Sequence, residues 1–217
     1  MAKDLSWLTA TYRPDVRIDI GASDGAYGSF LQKQFGARVV HAFEPMPQHA
    51  SALEQRGFVL HPVALADRPG MVEFYVNGYA PASSLLPLTK LCMEAYPQTA
   101  SVTTTRVRKA RLDDELPEPP AGSMIKVDAQ GYELPIIRGG RRVFEAAGLV
   151  LIEMTFQPLY DGQALFNRVH AELDALGYDL TGFLSQSAGR TSSRPLFAHC
   201  VYEKSAGGAH RGAGPKP

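Results

Sequence analysis

A glycine-rich turn, set directly between a strand-like run and a helix-like run, constrains this chain most. Val16 to Ile20 is short and rich in β-branched residues. Gly21-Ala22-Ser23-Asp24-Gly25 follows, and then Tyr27, Phe30, Leu31 and Phe35 fall at helical spacing. Glycine tolerates positive φ and lets a ligand approach the backbone. The start of the next helix adds oriented N–H groups. In open α/β sheets, ligands bind at this place.

The alternation continues down the chain. Val39 to Phe43 predicts a second strand, 45–55 a helix, and Phe58 to Leu65 a third strand interrupted by Pro62. That order predicts a parallel sheet with right-handed crossovers. Met71 to Val76 and Thr103 to Ala110 are expected to pair as an extra hairpin on an edge of the sheet. Met124 to Asp128 predicts a strand and 134–146 a helix. Leu149 to Met154 is an unbroken apolar run, as in a strand buried on both faces. After a helix over 164–176, Tyr178 to Phe183 and Leu196 to Tyr202 are joined without helical period. They predict an antiparallel closing pair. One domain is expected over residues 1–204, with 1–13 as an N-terminal extension. Residues 205–217 hold nothing apolar larger than Ala and are expected to be a disordered tail.

The spacing of the turn selects its ligand. A dinucleotide fingerprint needs G-x-G-x-x-G around a pyrophosphate. Here Ser23 stands two after Gly21, and Asp24 follows. A carboxylate beside a pyrophosphate is electrostatically unfavourable. Asp19 and Asp24 suit instead a ligand with an ammonium, a sulfonium and no phosphate, which is S-adenosylmethionine. Asp19 has a second reading, as a buried acid that braces the turn. Glu44 ends the second strand, where an acid accepts from ribose hydroxyls. The backbone of Ala64 and Leu65 is a candidate for the adenine edge. The candidate cofactor-binding set is Asp19, Gly21, Ala22, Ser23, Asp24, Gly25, Glu44, Pro45, Ala64, Leu65 and Asp128.

Four blocks carry a family resemblance: Asp19 to Gly25, Phe43-Glu44-Pro45, Met124 to Glu133 (MIKVDAQGYE) and Leu151-Ile152-Glu153-Met154. With Pro158 to Gln163, they resemble the FkbM family of S-adenosylmethionine-dependent methyltransferases. The resemblance implies a class I methyltransferase (Rossmann-like) fold: a doubly wound, mostly parallel seven-stranded α/β sheet with an antiparallel final strand. It also implies transfer of a methyl group to a hydroxyl of a sugar, polyketide or other small-molecule metabolite. The family often has Glu where this chain has Gln130, which removes one charge beside the site.

Methyl transfer displaces the sulfonium in line, so the enzyme's work is alignment and desolvation. A hydroxyl acceptor must also lose its proton. The catalytic candidates are Asp128, Glu153 and Lys126. Glu153 ends an apolar strand, where a carboxyl has a raised pKa and can take a proton. The alternative is a buried ion pair of Lys126 with Glu153 or Asp128. Glu133 is read equally as a cap of the following helix. Tyr79, Tyr96 and Tyr160 are candidates to stack on the acceptor. No ligand spacing demands a metal and none is expected, although Asp128, Glu153 and a histidine are a set that could hold Mg2+.

Lys+Arg and Asp+Glu are equal at 22 each, which argues against a general nucleic-acid binder. Cys92 and Cys200 form no CxxC or paired framework, as expected in a reducing, cytoplasmic setting. No run approaches the length of a membrane helix. The expected partner is a small-molecule or glycan acceptor, with a homodimer as an option. Competing readings are an NAD-dependent oxidoreductase, a non-catalytic adenosine-binding or interaction module, and N-methylation of RNA or protein.

Overall fold

The computed structural model describes residues 5–189 and 193–205. The strands are β1 (Val16–Ile20), β2 (Val39–Phe43), β3 (Val59–His61), β4 (Ala64–Leu65), β5 (Gly70–Asn77), β6 (Val102–Ala110), β7 (Met124–Val127), β8 (Leu149–Thr155), β9 (Tyr178–Ala188) and β10 (Pro195–Lys204). The helices are α1 (Ser6–Thr9), α2 (Ala26–Phe35), α3 (Ala50–Gln55), α4 (Lys90–Ala95), α5 (Leu112–Glu115), α6 (Glu133–Gly139), α7 (Arg141–Ala146) and α8 (Phe166–Ala175).

Seven strands form one sheet in the order β3-β2-β1-β7-β8-β10-β9. β10 runs antiparallel to both its neighbours, while β1, β2, β3, β7 and β8 pair in parallel. All seven residues of β8 are buried, as its apolar run predicts for a strand covered on both faces. In β1, Ile18 and Ile20 enter the largest core cluster. Arg17 and Asp19 therefore point to the opposite face, towards α2. Leu31 and Phe35 of α2 pack there with Leu5, Leu8 and Met124, so residues 5–12 contribute to a core layer. Gly36, at φ +75°, ends α2 in the left-handed conformation and donates its N–H to Gln32 O.

Two details differ from the sequence reading. The hairpin β5–β6 forms as expected, but it does not extend the large sheet. With β4 it makes a separate three-stranded sheet in the order β4-β6-β5. Pro62 has no N–H to continue the ladder after His61, so the chain leaves β2 there and β4 pairs with β6. The helix expected over 134–146 is two helices, broken at Gly140. A Cβ at Gly139 would lie 2.0 Å from Ala66 O, and one at Gly140 would lie 2.8 Å from the Leu112 side chain. Close approach of backbone explains both glycines and the break. The tail expected over 205–217 lies outside the described residues except for Ser205, whose hydroxyl donates to Asp179 Oδ2 at 2.7 Å. Among the described residues no helix is long and apolar enough to cross a membrane. Cys92 and Cys200 are both free and buried.

Candidate functional site

The glycine turn after β1 is pressed against the turn after β7. A Cβ on Gly21, whose φ is +70°, would lie 2.0 Å from Asp128 O. Only glycine satisfies both conditions. Three sets of hydrogen bonds hold the turn. The N–H groups of Gly21 and Ala22 donate to Phe43 O, at 3.1 and 3.2 Å. Lys126 Nζ donates to Gly21 O at 2.7 Å and to Ile20 O at 3.3 Å. Ser23, at φ +50°, donates its N–H to Glu44 Oε2 at 2.9 Å.

A cleft opens at the carboxyl ends of β1, β2 and β7. Of the candidate cofactor residues, Gly21, Ser23, Glu44, Pro45, Ala64, Leu65 and Asp128 line it. Its far wall comes from the small sheet and the loop after β5, with Phe74, Ser83 and Leu85. Glu44 is 7% exposed and also accepts from Met46 N–H at 2.9 Å. Burial raises its carboxyl above the ordinary range, and its two backbone donors oppose that rise.

The remaining cofactor candidates do not line this cleft. Asp19 is buried beneath the turn, with Oδ2 3.1 Å from Arg17 Nη1 and Oδ1 3.4 Å from Lys126 Nζ. Its burial agrees with the second reading, a brace for the turn, but its partners are the Arg17 and Lys126 side chains rather than the backbone N–H groups that reading called for. A Cβ at Gly28 would lie 2.4 Å from Asp19 Oδ2, so that glycine leaves room for the buried pair. Asp24 is exposed, and its Oδ1 accepts from Ala26 N–H at the start of α2. Ala22 and Gly25 are buried behind the turn. The negative charge facing the cleft thus comes from Glu44 and Asp128, rather than from the two aspartates the motif made conspicuous.

Beside Asp128 lies a second group, assembled from several separate segments. Gln130, held at φ +53°, donates from Nε2 to Asp128 Oδ1 at 2.6 Å and to Glu153 Oε1 at 3.2 Å. Its Oε1 accepts from the Tyr160 hydroxyl at 2.6 Å. Its main-chain oxygen accepts from Ser84 Oγ at 2.7 Å. Across the register of β8 and β10, His199 Nε2 lies 3.6 Å from Glu153 Oε2, and its Nδ1 pairs with Ser185 Oγ at 2.9 Å. Burial first, and then the charge of Asp128, push the Glu153 carboxyl well above its ordinary value. Lys126 opposes this more weakly. Glu133 accepts from the N–H groups of Ala129 and Gly131, and burial raises it to about 7. It closes the turn after β7; it lies in the first turn of α6, but these bonds serve the turn and not the helix end that its capping reading named.

Lys126 makes no ion pair with Glu153; its acidic partners are Asp19 and, at 3.9 Å, Asp128. Tyr160 is buried, with its hydroxyl turned to Gln130 and Ala82 O, so it offers no open face for stacking. Tyr96 bonds to Ser187 Oγ, and Tyr79 is exposed. The sequence reading placed Gln130 beside the site without giving it a role, and it assigned no specific role to Ser84 or His199. Only the spacing of Gln130 from Asp128 carried a signal, because a turn that places one beside the cleft places the other too.

Comparison with known proteins identifies the group. The model of the methyltransferase FkbM domain matches residues 19–180. The 2-O-methyltransferase NoeI of Sinorhizobium fredii (strain NBRC 101917 / NGR234) is 31% identical over 166 residues, which are 70% of this chain and 68% of NoeI. The fold is also that of magnesium protoporphyrin IX methyltransferase from Synechocystis PCC 6803, solved with its methyl donor bound. That likeness has a TM-score of 0.52 at 9% identity, over 93% of this chain and 76% of that one.

Proposed function

The chain belongs to the FkbM methyltransferase family, and from that premise we propose that it transfers the methyl group of S-adenosylmethionine to a hydroxyl of a small-molecule or glycan acceptor. The observation that carries the reading is the acidic cleft at the strand ends, which Asp128 and Gln130 join to the buried Glu153. Glu44 supplies acceptors for the ribose hydroxyls. Pro45, Ala64 and Leu65 flank the adenine. Gly21, Ser23 and Asp128 face the methionyl end.

The donor's sulfonium makes the methyl group electrophilic, so alignment is the main demand. The hydroxyl must still lose a proton, and the Asp128–Glu153 pair receives it. One amide bridges the two carboxylates. Lys126 is a positioning residue: it holds Gly21 O and thereby the shape of the turn. A relative named for 2-O-methylation supports oxygen as the target atom.

A thermal-shift series with S-adenosylmethionine, S-adenosylhomocysteine and NAD tests the donor, and stabilisation by the first two alone is expected. A labelled-methyl screen of hydroxylated metabolites and glycans tests the acceptor. Glu153→Gln is expected to lose turnover and keep donor binding. Stabilisation by NAD alone, or full turnover in Glu153→Gln, contradicts this assignment.

A further inference from the structure

We propose that Asp128, Glu153, His199 and the side-chain oxygen of Gln130 form a binding site for a divalent cation of the Mn2+ class. The ligand atoms of Asp128, Glu153 and His199 all lie within 4.8 Å of one another. A cation with bonds of about 2.1 Å needs donors roughly 3 Å apart when adjacent and roughly 4 Å apart when opposite, so small side-chain shifts suffice. Two carboxylates, an imidazole and an amide oxygen make a mostly hard donor set with one nitrogen. That set favours Mn2+ or a similar ion over a thiophilic one.

The placement of charge supports the site independently of the distances. Asp128 and Glu153 converge here on one amide, and Glu133 closes the same turn. The cation nearest to them is already engaged: Lys126 holds Gly21 O at 2.7 Å and Asp19 at 3.4 Å. Buried carboxylates without a matching positive charge are costly. The Gln130 amide is the one group that spans them, with its NH2 in the place a cation would take. With a cation in that place to satisfy the two carboxylates, turning the amide end over end still leaves Tyr160 served. The Tyr160 hydroxyl would then accept from Nε2 while donating to Ala82 O, 3.2 Å away, and Oε1 would face the gap. Ser185 Oγ, on Nδ1, leaves Nε2 of His199 directed at Glu153.

The catalytic meaning of the site rests on the acceptor reading above. A cation here supplies the positive charge that an ionising hydroxyl needs. The hydroxyl proton passes by way of the Asp128–Glu153 pair to water, the O–CH3 bond forms, and the CH3–S bond breaks to release S-adenosylhomocysteine.

The test is electron paramagnetic resonance of chelator-treated full-length protein titrated with Mn2+, a readout that requires no acceptor. Saturable uptake of one ion per chain is expected. His199→Ala and Asp128→Asn are expected to weaken it at least ~10-fold, and Gln130→Glu, which adds an anionic ligand, to tighten it by a similar factor. Thermal melts of each variant establish that it is folded. No saturable uptake, or uptake unchanged in folded His199→Ala and Asp128→Asn, overturns the proposal. Full methyl transfer in excess EDTA also overturns it, and does so without touching the acceptor reading. Uptake that follows the variants supports the site even if no hydroxyl acceptor is methylated, an outcome that strikes the acceptor reading alone.

Discussion

Glu44→Ala isolates the donor-binding reading. Each carboxylate oxygen has two lone pairs. On Oε2 one is taken by Ser23 N–H and on Oε1 one by Met46 N–H, which leaves one on each for the two ribose hydroxyls. Hydrogen bonds to a charged group contribute about 1.5 kcal/mol or more each, so losing two costs about 3 kcal/mol. That is a loss of about 100-fold in affinity. The truncation also strips the acceptor from Ser23, which is held at φ +50°, and so loosens the turn. Calorimetric titration with S-adenosylhomocysteine measures the loss directly. In a thermal-shift experiment at 100 times the wild-type Kd, the ligand's stabilisation should fall from about 2.7 to about 0.4 kcal/mol. Glu44→Gln keeps the shape but puts an NH2 opposite one backbone donor, and about a tenfold loss is expected. If folded Glu44→Ala binds S-adenosylhomocysteine within about twofold of wild type, where a two-bond loss demands far more, the ribose assignment is wrong.

Two further outcomes follow from the same geometry. Gly21→Ala should lower the unfolding free energy by about 3 kcal/mol or more and abolish donor binding. Gly36→Ala, also at positive φ but with nothing within 4 Å of its Cβ, should cost only about 1 kcal/mol in a denaturant titration. Equal losses in the two variants would remove the argument from close approach. Glu133 is raised to about 7 in the folded chain, from an ordinary value of 4.5, so the folded state holds its proton more tightly. Stability should therefore fall as pH rises from about 4.5 to 7, by up to about 3 kcal/mol. Glu133→Gln keeps the acceptor for Ala129 and Gly131 without the charge, and its curve should lack that decline. Parallel curves would show that Glu133 is not its source.

The succession of strands and helices and the cleft were legible because they depend on local signals. A glycine turn behind a β-branched run, an acid closing the next strand and an unbroken apolar run at Leu149 to Met154 each announce themselves within a few residues. What stayed hidden depends on orientation or on register. Asp19 belongs to the most recognisable motif, yet alternation along β1 turns it to the face of Arg17 and away from the cleft. Asp24 serves the first turn of α2 instead. His199 meets Glu153 only through the pairing of β10 with β8, and no spacing in the chain encodes that pairing. Tyr160 and Ser84 reach Gln130 from loops whose course depends on what they pack against. The break at Pro62 was visible, but its effect was not: a residue read as an interruption of one strand divides two sheets.

That division gives the cleft walls of separate ancestry within the chain. One side is the rim of the seven-stranded framework, where Glu44 and Asp128 are locked by neighbouring ladders. The other hangs from the two-residue bridge of β4 to β6 and is pinned through Tyr75 and Ser84. Residues grafted into the 78–89 segment would reshape what enters the cleft without disturbing the framework beneath the donor. The molecule can thereby vary one wall of the cleft while the strands under the other stay fixed.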